Sequence, residues 1–453
     1  MCKKTCAFIT LGCKVNQYET QAIRESIIAK GYREVLPDEQ ADLYVINTCT
    51  VTSVSDEKSR AMIRKAVRSK ANAKVVVTGC YVDADKKTVE RLEGVDYVFE
   101  NAEKANIADV LEPKIPPHPP LIKGGMGGLK EVQVISRFDG HTRAFLKIED
   151  GCDVFCSYCI IPYVRGRVRS KGLDVIVEEA GRLAGNGYKE IVLTGIHLGA
   201  YGRDLQHVGA NGRSPLLDVL RRLEEIDNLE RIRLSSIEVN ELEDEMINLV
   251  ATSKKICPHF HLSLQSGSDY ILSKMNRRYT SAQYLTTLDK IRAKIELPSF
   301  STDVMVGFPG ETEEHFQDTI KVCCEAGFSR MHIFPYSVRN GTPAAKMSGR
   351  CKSQEIKQRE ILLKSVADKL ALEYKERFIG ETVDVLVEAS RDKKTGKLAP
   401  QNGESANYLG GLCGYSERYI KVVFDGTDNF MNTIVTVRIK KAFPGFAKGI
   451  LVE

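Results

Sequence analysis

A chain of 453 residues is long enough for roughly two to four domains with ample core. Its hydrophobic (43%) and charged (28%) fractions are those of an ordinary soluble protein, and a net charge of +5 is too small to argue for nucleic acid by itself. No apolar run approaches membrane-spanning length and the N-terminus lacks a signal-peptide shape, so a cytoplasmic protein without a membrane partner is expected, in which 13 cysteines point to metal or redox chemistry more than to disulfides.

In chain order, residues 6–11, 41–47 and 74–78 read as buried parallel strands, 96–99 as a further strand, and 21–30 and 57–69 as helices between them. This is a small doubly wound α/β domain, bounded at 2–114. Residues 113–130 (PKIPPHPPLIKGGMGGLK) are Pro-rich and then Gly-rich, so a linker is expected over 115–137. A second α/β domain is placed at 138–368, with candidate strands at 144–148, 190–194, 231–235, 259–264, 300–306 and 331–334. About six βα units suit a partial parallel barrel, (β/α)6, with reactive groups at the C-terminal ends of the strands. Residues 354–378 form an amphipathic helix with Ile356, Leu363, Val366 and Leu370 along one side. Beyond it the pattern alternates at 382–388, 419–424 and 433–440, with turn signals at Lys394-Thr395-Gly396 and Asp425-Gly426. That is a small all-β module, 371–442, of the OB-like size that often binds RNA.

Cys152, Cys156 and Cys159 form a CxxxCxxC run inside IEDGCDVFCSYCIIP. Soft thiolates select zinc or iron–sulfur clusters. Structural zinc wants a closed set of four ligands, usually as two separated pairs, whereas three thiolates on a [4Fe–4S] cube leave one iron open. Zinc and an unrelated thiol cluster are the competing readings. The loop, with Tyr158 before its last cysteine, resembles the radical S-adenosylmethionine (SAM) enzymes, in which the open iron chelates the amino and carboxylate groups of SAM.

Cys13, Cys49 and Cys80 are far apart in sequence but share one setting: ITLGC, VINTC and VVTGC each put the cysteine in a turn just past an apolar strand. In a parallel sheet those ends lie along one edge, where open α/β sheets place ligands, so the three thiols could converge. Three buried cysteines acting as small hydrophobes is the alternative.

Taken together, the segments LGCKVNQ (11–17), NTCTV (47–51), TGCY (78–81), 148–162, TGIHLGAYG (194–202), HLSLQSGSD (261–269) and DVMVGFPGET (303–312) resemble the methylthiotransferases, a two-cluster radical SAM subgroup, and the last module resembles their TRAM domain. The resemblance implies that Cys152, Cys156 and Cys159 bind the radical SAM [4Fe–4S] cluster and that Cys13, Cys49 and Cys80 bind an auxiliary [4Fe–4S] cluster. It further implies that one SAM methylates a sulfur held on the auxiliary cluster, and that a second, reduced at the barrel cluster, yields a 5′-deoxyadenosyl radical that activates a C–H bond for the methylthio group. The partners implied are tRNA, SAM, an electron donor such as flavodoxin or ferredoxin, and a sulfur donor.

Three substrate branches follow: tRNA threonylcarbamoyladenosine, tRNA isopentenyladenosine, and a ribosomal-protein aspartate. RIRLSSIE (231–238), ICPHFHLSLQSGSD (256–269), HIFPYSVRNGTP (332–343) and CIIPYVRGRVRS (159–170) resemble the first, which adds the group to carbon 2 of the nucleoside at position 37, beside the anticodon. A non-catalytic RNA-binding protein with structural zinc is the rival from another class.

Arg165, Arg167 and Arg169 alternate just past the radical loop, where they could meet RNA phosphates or simply form a solvated loop; Arg438, Lys440 and Lys441 beside Phe443 make a phosphate-and-stacking edge or a charged edge that blocks aggregation. Gly195, Gly307 and Gly310 lie in turns after barrel strands, where glycine could let backbone amides approach SAM or serve only a tight βα turn. His197 reads as a hydrogen-bonded structural histidine or a contact to substrate or SAM, Cys323 and Cys324 as core of a helix with Phe316 and Ile320, and Cys257, His259 and His261 as structural. Cys6 reads as packing, and Cys2, Cys351 and Cys413 have no matching partners.

Overall fold

A computed structural model describes residues 3–69, 73–111, 134–205, 214–390 and 411–452, with only the backbone of 389 and 390. Cys2, the stretch 113–130 and the turn at 394–396 lie outside the described residues. The chain divides into two compact units: residues 1–139, 150–154 and 159–167, and residues 140–149, 155–158 and 168–453.

The first unit is built on five parallel strands, β1 (Thr5–Thr10), β2 (Arg33–Glu34), β3 (Leu43–Thr48), β4 (Lys74–Gly79) and β5 (Tyr97–Phe99), in the order β2-β1-β3-β4-β5. β3 and β4 are continuous apolar runs because both faces are covered, as parallel sheets require. Phe8, Val45 and Val76 pack with Ile23 and Ile27 of α1 (Lys14–Ala29), while Ala7, Ile46 and Val77 pack with Ile63 and Ala66 of α2 (Ser53–Ser69). α1 starts well before the expected residue 21, directly after Cys13, and the reason is physical: its first turns bury Asn16, Glu19 and Thr20, polar residues that an apolar periodicity does not register. Residues 134–137, expected as linker, are docked on α1. Ile135 is buried, and the amides of Ser136 and Arg137 donate to the Glu25 carboxylate.

In the second unit the six long strands follow one another in chain order and in parallel, as a (β/α)6 arrangement predicts. Ala144–Lys147, Glu190–Thr194 and Arg231–Leu234 form one sheet. His259–Leu262, Ser299–Val306 and Arg330–Pro335 form the next, with the short strand Ser236–Ile237 at its edge. After the Ser353–Glu376 helix, five strands close a barrel in the order Thr382–Ser390, Leu412–Ser416, Lys421–Phe424, Ala447–Leu451, Ile434–Ala442. Val385, Val422, Phe424, Val437 and Ile439 fill it, with Tyr374 and Phe378 packed into the same cluster.

This barrel is seated on the N-terminal ends of the parallel strands through polar contacts. Arg231 donates to the carbonyls of Asp384 (2.6 Å) and Tyr415 (3.1 Å), and Arg233 to those of Ser416 (3.1 Å) and Glu417 (2.9 Å). Glu190, fully buried, binds Arg233 at 2.6 Å. Burial alone would raise its carboxyl, but Arg233, then Arg143 and Arg231, hold it below the usual range.

Candidate metal centres

The three cysteines of the first unit sit past three adjacent strands. Cys49 follows β3, Cys80 follows β4, and Thr48 pairs with Gly79, so these two leave the sheet at one level; Cys13 caps the N-terminus of α1 just beyond β1. Close backbone approach brings the turns together. A Cβ on Gly12 (φ +100°) would lie 2.9 Å from Cys49 Sγ, and one on Gly79 (φ +104°) would lie 2.4 Å from the Thr48 carbonyl. Asn16 Nδ2 ties the first two turns by donating to the carbonyls of Leu11 (2.8 Å) and Thr48 (2.9 Å). Burial pushes the Cys49 and Cys80 thiols up, while the charges of Arg165 and Lys104 draw Cys80 part of the way back. The three cysteine turns share one edge of the sheet, where open α/β sheets place ligands, and a metal centre there would take the thiols as thiolates.

A buried arginine supports this edge. Arg165 ends the short Ile161–Arg165 helix, whose Ile160, Ile161 and Val164 pack with Cys80. Its Nε donates to Cys80 Sγ at 3.2 Å, Nη1 to Glu19 (2.8 Å) and Asp150 (2.9 Å), and Nη2 to Asn16 Oδ1 (2.6 Å). Lys104, also buried, pairs with Glu19 and donates to Asn47 Oδ1. Arg165 is 3% exposed, which corrects the expectation of a phosphate contact: its guanidinium is spent inside the first unit. Glu19, Lys104 and Asp150 escaped sequence reading, since isolated charges carry no spacing signal.

The CxxxCxxC loop is shaped by local geometry on each side. Gly151 has φ +86°, and a Cβ there would lie 2.0 Å from the Arg167 carbonyl, so only glycine fits. The Val154 amide points at Cys152 Sγ (3.5 Å). In the second unit, Cys156 is buried beside Arg277, whose Nη1 lies 3.5 Å from its Sγ and 2.8 Å from Glu238. Ser157 is pinned by its amide and hydroxyl to the carbonyls of Met275 and Lys274. Three thiols within one short loop, two of them with N–H groups aimed at sulfur, fit an iron–sulfur cluster better than a four-ligand zinc site.

On one face of the adjoining strands lies a polar group. His259 and His261 each share a hydrogen bond with Ser301 Oγ (2.9 Å), His261 Nε2 lies 3.3 Å from Asp303, and Asp303 takes His332 Nδ1 at 3.1 Å. Ser263 links outward, its hydroxyl 3.4 Å from Asp303 and its carbonyl 3.4 Å from Arg277. Sequence reading named His259 and His261 as structural and missed Asp303 and His332, whose strands become neighbours only through the sheet register Asp303↔His332.

The model of the Uncharacterized protein family UPF0004 matches residues 5–100, and that of the Radical SAM superfamily matches residues 146–323. The threonylcarbamoyladenosine tRNA methylthiotransferase MtaB of Bacillus subtilis (strain 168) is 37% identical over 454 residues, covering 99% of this chain and 96% of that protein. The tRNA-2-methylthio-N(6)-dimethylallyladenosine synthase of Carboxydothermus hydrogenoformans is 33% identical, covering 100% of both. The chain belongs to the radical SAM methylthiotransferases. In fold it is also similar to the solved radical SAM methyltransferase TsrM of Kitasatospora setae, with a TM-score of 0.53 at 15% identity, over 76% of this chain and 74% of that one.

For this methylthiotransferase, the glycines expected near SAM have other duties. The Gly307 amide donates to Glu311 (2.7 Å) and a Cβ there would strike Ile356; the Gly310 amide donates to the Gly349 carbonyl (2.8 Å). Those amides are spent within the fold, which corrects the expectation that they reach SAM. A Cβ on Gly195 would meet the Glu149 carboxylate at 2.5 Å, so that glycine makes room for Glu149, which also accepts from the His197 amide. His197 is buried and bonds Glu241 at 2.9 Å. Arg167 and Arg169 are exposed, as are Arg438, Lys440 and Lys441, and the Lys441 ammonium lies over Phe443, which stacks on Phe446. Cys323 is core, but Cys324 faces out, correcting its assignment to the buried stripe: Val322 and Cys323, not Cys324, complete the face begun by Phe316.

Proposed function

We infer that this methylthiotransferase acts on tRNA, adding a methylthio group to carbon 2 of N6-threonylcarbamoyladenosine at position 37, with two [4Fe–4S] clusters. The observation that carries the substrate is near-full-length identity of 35–37% to proteins named for that activity, and 41% over 84% of the chain to another. Relatives named for dimethylallyladenosine stand at 32–33%, which keeps that nucleoside as the second reading. The polar face of His261, Asp303 and His332 supports the first, because a threonylcarbamoyl group carries a carboxylate and a hydroxyl, whereas a dimethylallyl group has nothing to bond there.

When bound, the cofactors supply an open iron that cleaves SAM reductively at one centre and a sulfur for methylation at the other. Cys152, Cys156 and Cys159 would hold the first, with Arg277 donating to Cys156 and tied to Glu238. Cys13, Cys49 and Cys80 would hold the second, at the sheet edge braced by Asn16 and Arg165. Gly151 lets the radical loop cross the 166–167 backbone, fixing Cys152 through its amide bond to the Gly166 carbonyl. Exposed Arg167 and Arg169, and the Arg438–Lys441 edge, are the cations offered to RNA phosphates.

Mass spectrometry of tRNA nucleosides from cells lacking the protein tests the reading. Loss of the 2-methylthio form of threonylcarbamoyladenosine, with its precursor accumulating, supports it; loss of the methylthio isopentenyl nucleoside instead would move the chain to the other branch.

A further inference from the structure

We propose that Arg165 is a positioning residue for the auxiliary centre: its Nε–H donates to the Cys80 thiolate and thereby sets the reduction potential of the cluster held there. The proposal rests on the two-cluster reading above. Its geometry lies wholly within the first unit. Cys80 is buried, and the donor reaches its Sγ at 3.2 Å. The rest of the guanidinium is clamped by carboxylates and an amide, Glu19 and Asp150 at Nη1 and Asn16 at Nη2, so the Nε–H direction is fixed by the bonds at the other two nitrogens. Asn16 also braces the turns before Cys13 and Cys49, and Glu19 is held by Lys104. One side chain is therefore keyed to all three cysteine turns.

An N–H bond to a ligating sulfur favours the reduced, more negative cluster, and in a buried site such a bond is strong because water does not compete. Lys cannot replace Arg here, since a single ammonium lacks the fork that serves oxygen and sulfur at fixed angles. Arg165 also lies on the same stretch, residues 159–167, as Cys159 of the radical loop. The segment that supplies a ligand to one centre thus supplies the hydrogen bond to the other.

The test uses the full chain carrying Cys152→Ala, Cys156→Ala and Cys159→Ala, so that only the auxiliary cluster is observed after anaerobic reconstitution. About four irons per chain are expected. No iron in that protein would overturn the two-cluster reading and the proposal with it. With the cluster present, Arg165→Gln and Arg165→Lys are each added, and the midpoint potential is read by EPR-monitored titration alongside the exchangeable-proton coupling to the cluster. Both variants should shift the potential to more negative values and lose one strong exchangeable coupling. An unchanged potential and coupling with the irons retained would overturn the role of Arg165 alone. Should Arg165→Gln fail to fold, Arg165→Lys, which keeps the charge opposite Glu19 and Asp150, gives the same decision.

Discussion

Gly12 and Cys49 meet so closely that a Cβ on Gly12 would fall 2.9 Å from both Cβ and Sγ of Cys49. Gly12 precedes Cys13, so the contact that excludes a side chain is the same one that brings the first two cysteine turns together. Its φ of +100° adds a second reason for glycine.

Gly12→Ala should therefore disturb the auxiliary centre selectively. Strain of about 1–3 kcal/mol is expected from the backbone angle, together with displacement of Cys49. Iron per reconstituted chain should fall from about eight toward about four, while SAM cleavage persists. Full iron content in this variant would show that the turns need not touch.

Removing single ligands should separate the two centres. Cys156→Ala is expected to abolish formation of 5′-deoxyadenosine, while Cys49→Ala should still cleave SAM but yield no methylthio nucleoside. Continued 5′-deoxyadenosine from Cys156→Ala, or normal product from Cys49→Ala, would remove that cysteine from its site.

The α/β architecture was legible because buried parallel strands are written as uninterrupted apolar runs, and the CxxxCxxC loop because its cysteines are close in sequence. Convergence of Cys13, Cys49 and Cys80 could be read only as one of two options, because the side-by-side order of β1, β3 and β4 is not written in any local pattern. Leu412–Ser416 and Ala447–Leu451 were missed as strands because each contains a glycine, Gly414 and Gly449. Side chains there would run into Leu386 and Val437 inside a tightly curved barrel. Arg165 was grouped with Arg167 and Arg169 as an RNA contact by their alternation past the radical loop, whereas it closes a short helix and turns inward.

His332 tests the substrate assignment from the protein side. Loss of one hydrogen bond to a charged group costs about 1.5–3 kcal/mol, so His332→Ala should lower kcat/KM on threonylcarbamoyladenosine tRNA by roughly 10- to 100-fold. SAM cleavage without tRNA should be unaffected. Equal efficiency with wild type would detach the His332–Asp303 pair from substrate recognition.

The joint between the parallel strands and the C-terminal barrel should be acid-sensitive. Glu190 has a folded-state carboxyl below its ordinary value of 4.5, so its contribution is present above that value and is lost as pH falls through the depressed one. Glu190→Gln leaves Arg233 without its buried counter-charge and should destabilise the unit by about 3–5 kcal/mol at neutral pH. Denaturant titrations at pH 7 and pH 4 check this: the gap between wild type and variant should narrow at the lower pH, and a constant gap would assign the loss to packing.

The central claim, two iron–sulfur centres on one chain, is tested most directly by counting iron and sulfide in protein purified and reconstituted without air. About eight irons with matching sulfide per chain are predicted, since each cube holds four. About four irons would leave a radical SAM centre without the sulfur-presenting one, and zinc in place of iron and sulfide would contradict the account altogether.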